Sequence, residues 1–306
     1  MKDRFIGCLL GLAAGDALGS RLEGYPTEAV RRPDLDRDAF LDELWSWGRG
    51  RWTDDTKMAV GLAESIIEHA GFDGAAAARA YLAWYESGDW RGIGRTTRLS
   101  LERLKEGKGW RRSGIEEDWA AGNGTAMRVA PLGLLNFKRL DRLKDDARDD
   151  AIITHKNHEA INGSFAVAYA VARLAKGDIG LDRLIPDTID FLEPCDVLLR
   201  LEIAQKLLEQ GMSPDDALVD LGTGGYVVET VASSFYAFLS APESFEDAVY
   251  HAIRGGRDTD TTAAITGALS GAHLGVEAIP LKWRTEIENA AHIEYLASEL
   301  YALAAK

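Results

Sequence analysis

The sequence is poor in the residues that would open several functional classes. Cysteine occurs twice, at Cys8 and Cys195, in no metal-binding spacing. Both read as reduced core residues of a cytoplasmic protein rather than as a disulfide or a zinc site. The six histidines are scattered, and the one close pair, His155 and His158, has no third ligand beside it. Proline is held to 8 of 306 residues and forms no Pro/Ser-rich linker. Basic residues are outnumbered, 35 Lys plus Arg against 49 Asp plus Glu, for a formal charge of −14. Such a surface repels phosphate backbones and anionic lipid, which argues against bulk nucleic-acid or membrane binding. The N-terminal MKDRFIGCLLGLAAGDALGS imitates a signal peptide. Its apolar run at 5–14 falls short of a bilayer span and reads instead as a buried first helix. A P-loop, a Gly-x-Ser-x-Gly elbow and a supported Cys/His pair are all missing.

Two-residue alternation of strand length is missing as well, whereas helical periodicity is everywhere. Met58, Leu62 and Ile66 recur at steps of four, and Leu198, Ile203 and Leu207 share a looser helical face. Asp73 is placed to cap a helix over 74–85, and Ser213-Pro214 is a cap followed by a first-turn proline. Further helices are predicted near 146–154, 158–175, 182–192, 195–210, 226–239, 244–254, 261–274 and 283–304. The charged run at 138–150 reads as a solvated helix face or loop, and 107–119 as a long surface loop of the kind that borders active sites. The expectation is an all-α, single-domain protein spanning 1–306.

Glycine recurs every fourth residue at Gly7, Gly11, Gly15 and Gly19, and again at Gly267, Gly271 and Gly275. Each costs up to about 1 kcal/mol against alanine inside a helix. Stripes without side chains let backbones approach closely, so these two helices are expected to be central and to touch.

Two acidic motifs stand far apart. RWTDDTKMAV sets Asp54 and Asp55 between Thr53 and Thr56; RGGRDTDTTAAITGAL sets Asp258 and Asp260 beside Thr261. Both precede an apolar helical pattern, where unpaired N–H groups and the helix dipole favour carboxylates. Capping accounts for one side chain per helix, but each start offers two. Four carboxylates brought together repel unless cations compensate, and two divalent ions supply +4 against −4. Oxygen-only donors suit hard ions such as Mg²⁺ or Mn²⁺.

These motifs, in this order, resemble the ADP-ribosylglycohydrolase family. The similar pieces are GCLLGLAAGDALGSRLE (7–23), WTDDTKMAV (52–60), GNGTAMRVAPLGLL (122–135), ITHKNHEA (153–160), GTGGYVVETV (222–231) and GGRDTDTTAAITGALSGA (255–272). The resemblance implies an all-α fold and a binuclear Mg²⁺ or Mn²⁺ centre in a cleft. It also implies hydrolysis of the glycosidic bond between ADP-ribose and a protein side chain, nucleobase or small molecule. Metal ligands are implied at Thr53, Asp54, Asp55, Asp258, Asp260 and Thr261. Asn123, Gly124, His155 and the Gly224-Gly225-Tyr226 loop are implied to border the substrate, with Tyr226 either stacking on adenine or packing in the core. Glycine loops of this kind present backbone N–H groups to a pyrophosphate. Glu23 is the implied acid or base, with Asp55 in reserve. Arg257 departs from the family pattern, standing between Gly-Gly and the first aspartate, and faces either a phosphate or solvent. Trp90 and Trp110 line the acceptor side or pack structurally. The rival readings are a two-metal phosphohydrolase acting on ADP-ribose-like nucleotides and a non-catalytic ADP-ribose-binding protein.

Overall fold

Helix starts and stops are written locally, and most are found where capping chemistry places them. The structure, a computed structural model, describes residues 1–31 and 50–306. In chain order its longer helices are α1 (Lys2–Gly19), α2 (Asp54–Glu68), α3 (Gly74–Ser87), α4 (Arg95–Lys105), α5 (Leu140–Ala151), α6 (His158–Lys176) and α7 (Leu181–Phe191). They continue as α8 (Asp196–Glu209), α9 (Pro214–Leu221), α10 (Val227–Ser240), α11 (Phe245–Arg254), α12 (Thr259–Leu274) and α13 (Ala290–Ala304). The fold is all-α: among the described residues only two isolated β-bridges form, Ile115 with His155 and Gly122 with Tyr226. Asp73 Oδ1 accepts from Ala76 N at 2.7 Å to start α3, and Ser213 Oγ accepts from Asp216 N at 3.3 Å to start α9. Each satisfies a donor that the first turn leaves unpaired.

The two glycine stripes decide the centre of the molecule. α1 and α12 lie antiparallel in backbone contact: a Cβ on Gly7 would strike the Gly271 carbonyl, one on Gly11 that of Gly267, and one on Gly15 that of Ala263. α1 is apolar and long enough, continued to Leu22, to cross a membrane by composition alone, yet 94% of its most apolar window is buried inside the fold. Around this pair runs one continuous apolar core that includes Phe5, Leu62, Phe165, Phe235 and Leu300.

Several local expectations are corrected. Of the two readings of the charged run at 138–150, helix face or loop, the helix holds, but it begins at Leu140 rather than the predicted 146 and buries one side, with Leu143, Ala147 and Ala151 at steps of four. The predicted helix at 283–304 divides into Leu281–Glu286 and α13, broken at Asn289 in the left-handed region (φ 58°). Gly50 O and Trp52 Nε1 pin that break through the backbone of Glu288, at 2.8 Å each. Cys8 is in the core, but Cys195 is half-buried and is the N-cap of α8, its Sγ accepting from Leu198 N. Segment 107–119 contains the short helix Trp110–Ser113, anchored where the Trp110 ring covers Gly74.

Candidate active site

Asp16, on α1 and fully buried, does what neither acidic motif does for itself. Its carboxylate accepts from the backbone N–H groups of Thr53 (2.9 Å) and Thr56 (3.0 Å) and from the hydroxyls of Thr53 (2.9 Å) and Thr56 (2.6 Å). The first turn of α2 is thereby capped from another helix, and Thr53 makes no side-chain cap bond of its own. Asp54 and Asp55 are released from capping and held at the helix start with their carboxylates toward a cavity. Sequence reasoning left Asp16 without a role; its place in the GDALG motif was the available signal.

At the start of α12, Asp258 occupies the N-cap position without capping, and its Oδ2 accepts instead from Asn123 Nδ2 at 2.6 Å. Thr261 Oγ1 lies 3.4 Å from Asp55 Oδ2, which brings the two distant acidic motifs into contact. Asp55 Oδ1 is buried with no hydrogen-bond partner. Asp260 is within hydrogen-bonding reach of both Asp258 and Glu23. Burial first, and then the neighbouring carboxylates, push Asp54, Asp55 and Asp260 well above the ordinary carboxyl range. Glu23, more open at the cavity wall, is raised by partial desolvation and then by the charges of Asp258 and Asp16. Crowded in this way, the carboxyls hold on to protons that isolated ones would release.

Glu23 owes its position to Arg257. Arg257 N donates to Tyr25 O and Gly24 N donates to Arg257 O, both at 2.6 Å, so the loop after α1 is tied to the turn before α12. Arg257 adopts a left-handed backbone (φ 62°), uncommon for a residue with a side chain, and its side chain lines the cavity.

The cavity has a volume of about 460 Å³. Glu23, Asp54, Asp55, Asp258, Asp260, Thr261, Asn123, Gly124, His155, Gly224 and Gly225 all line it. Thr53 sits behind Asp54, and Tyr226 lies outside the lining, 39% exposed at the start of α10. The glycine segments are joined to each other more than they are open: Asn123 N donates to Gly225 O at 3.2 Å, and Gly224 N is held by Glu229 Oε2 at 2.8 Å. The 86–98 segment contributes Gly92, Gly94, Arg95, Thr96 and Thr97 to the lining. Gly92 is required twice over, by φ 78° and because a Cβ would strike the Asp54 carboxylate. Segment 107–119 borders the site at two points: Ile115 is bridged to His155, and the Trp119 ring lies 4.4 Å from the Arg95 guanidinium. Trp90 stacks on Tyr85 at 5.2 Å and Trp110 packs on Gly74, so both are structural. Met127, which also lines the cavity, was missed because a methionine in an apolar run gives no separate signal.

An all-α fold with an acid-walled cleft formed by two helix starts and ringed by glycine loops defines a class of protein, and comparison with known proteins agrees with it. The ADP-ribosylglycohydrolase family profile matches residues 1–306, and the chain belongs to that family. An uncharacterised protein of Archaeoglobus fulgidus is 34% identical, with 99% of this chain and 97% of that protein aligned. ADP-ribosylarginine hydrolase Tri1 of Pseudomonas putida is 32% identical over 98% of this chain and 78% of its own length. ADP-ribosylhydrolase ARH3 of Danio rerio is 27% identical over 99% and 91%. A solved structure described as an ADP-ribosylglycohydrolase-related protein complex superposes with a TM-score of 0.78 at 32% identity, covering 99% of this chain and 98% of that one.

Proposed function

We propose that the protein is a metal-dependent hydrolase cleaving the glycosidic bond that joins ADP-ribose to an acceptor: a protein side chain such as arginine or serine, a nucleobase or a small molecule. The observation that carries this reading is the meeting of residues 53–55 with 258–261 in one cleft, in a chain aligned end to end with hydrolases of ADP-ribosylated substrates. Two divalent cations, Mg²⁺ or Mn²⁺, fit the donor set. Asp55 Oδ1 is a buried carboxylate oxygen with nothing to accept from, and the donors are hard oxygens throughout. Among the described residues no group of three or more Asp, Glu, His or Cys side chains is arranged as a ready-made metal site. A cation here would therefore complete its shell with the hydroxyls of Thr53 and Thr261 and with water. When bound, the ions supply positive charge and Lewis-acid polarisation of ribose oxygens.

The remaining chemistry belongs to the chain. Asp16 holds the start of α2, and with it Asp54 and Asp55, from behind the cavity, and Asn123 holds Asp258 from the cavity wall. Glu23, with its raised pKa and its place at the cavity wall, is suited to exchange a proton with the attacking water or the leaving group. Arg95 and Arg257 bring positive charge to the walls for a diphosphate that the −14 net charge would otherwise repel.

The test is incubation with arginine-, serine- and nucleobase-linked ADP-ribose in Mg²⁺, Mn²⁺ or EDTA. Free ADP-ribose as the product, dependent on metal, is expected. AMP or inorganic phosphate as the product would instead assign a phosphohydrolase, and binding without turnover a sensor.

A further inference from the structure

His155 is buried, lines the cavity through its ring, and has Nδ1 2.8 Å from Thr154 Oγ1. Thr154 is itself fully buried, and the same Oγ1 receives Arg128 Nη1 at 2.7 Å. Arg128 only donates. It is locked, with no solvent exposure, by Asp150 Oδ2 at 2.9 Å, by the Asp150 carbonyl at 2.8 Å and by the Gly124 carbonyl at 3.1 Å. Tyr81 donates to the other oxygen of that aspartate at 2.6 Å. The Thr154 hydroxyl has one proton. Arg128 cannot accept it, so within this dry network it goes to His155 Nδ1. The alternative leaves a buried hydroxyl proton unpaired, which native interiors avoid. Burial, and then the charge of Arg128, lowers the His155 pKa to about 3, and the ring is neutral at physiological pH.

We propose that Thr154, oriented by Arg128, is a positioning residue that fixes His155 in the Nε2–H tautomer, so that the ring presents one uncharged N–H donor to an acceptor oxygen of the ligand. The same guanidinium holds the Gly124 carbonyl, so the ring and the glycine loop packed against it are set by one buried group. A neutral donor suits this site: it can bind a phosphate or ribose oxygen without adding a cation that would be drawn to the aspartates. The ligand half of the proposal rests on the function proposed above; the tautomer does not.

In ¹⁵N-labelled protein with Mg²⁺ at pH 7, the two-bond ring correlations of His155 are expected to show the Nε2–H pattern. They are identified as the set that disappears in His155→Gln. Thr154→Val keeps the shape but deletes the hydroxyl; it is expected to lose this tautomer preference and to bind ADP-ribose about tenfold more weakly by calorimetry. Thr154→Ser restores both. A wild-type Nδ1–H pattern overturns the assignment, and that spectrum decides the matter even if Thr154→Val does not fold. A folded Thr154→Val that keeps both the tautomer and full affinity overturns it equally. If the wild-type protein binds no ADP-ribose, the proposed function fails, and the spectra alone decide the tautomer.

Discussion

At the scale of single residues, the site depends on a division of labour among acids. Asp16 is saturated with hydrogen bonds, whereas Asp55 has an oxygen with none. Substituting the second kind removes chemistry, and substituting the first removes structure. Asp55→Ala and Asp260→Ala are expected to lose at least about 100-fold in metal-dependent turnover while keeping the helical circular dichroism. Full activity in either variant would remove that residue from the ligand set. Glu23→Gln is expected to lower kcat by about 100-fold or more with little change in ADP-ribose affinity, as loss of an acid or base does. An equal loss in both quantities would mean that Glu23 binds rather than transfers a proton.

At the scale of elements, the close approach of α1 and α12 sets the distance between Glu23 and Asp260, because each helix leads into or out of one of those residues. The approach exists only without side chains. Gly267→Val is expected to destabilise the protein by about 1–3 kcal/mol in urea unfolding, because the added carbons meet the backbone of Gly11, which cannot rotate away. Gly61, in α2, offers a contrast: a Cβ there meets only the Ala80 methyl at 3.7 Å. Gly61→Ala is expected to stabilise by about 0.5–1 kcal/mol through helix propensity. Unchanged urea midpoints in both variants would remove the stripe from the account of stability.

At the scale of the whole molecule, the crowded carboxylates link stability to pH and to cations. Asp54, Asp55 and Asp260 have folded pKa values raised above the unfolded ones, so the folded state holds protons that the unfolded chain releases. Their contribution to stability is fully present below the unfolded carboxyl range of about 4 and is lost as pH rises through the raised folded values. Cations bound as proposed would reverse this, since ligands must be ionised to bind them. The rise in Tm on replacing EDTA with Mg²⁺ is therefore expected to grow from pH 5 to pH 8 and to vanish in Asp55→Ala/Asp260→Ala. A shift of constant size across that range would disconnect these groups from metal binding.

Much of this was legible in the chain because it is written locally. The period of the apolar residues determined an all-α fold, Asp73 and Ser213 marked helix starts, and the two threonine-aspartate motifs and the glycine stripes showed which segments matter. What the chain could not tell by itself depends on neighbours that lie far off in sequence. Thr53 and Asp258 stand where caps stand, and only Asp16 against Thr53 and Asn123 against Asp258 show that neither side chain caps. The helix break at Asn289 is held by Gly50 and Trp52, and Tyr226 is turned out of a cavity that Gly224 and Gly225 line. Hydrogen-bond partners and side-chain direction are properties of contacts, and contacts between residues tens to hundreds of positions apart come into being only when the chain has folded.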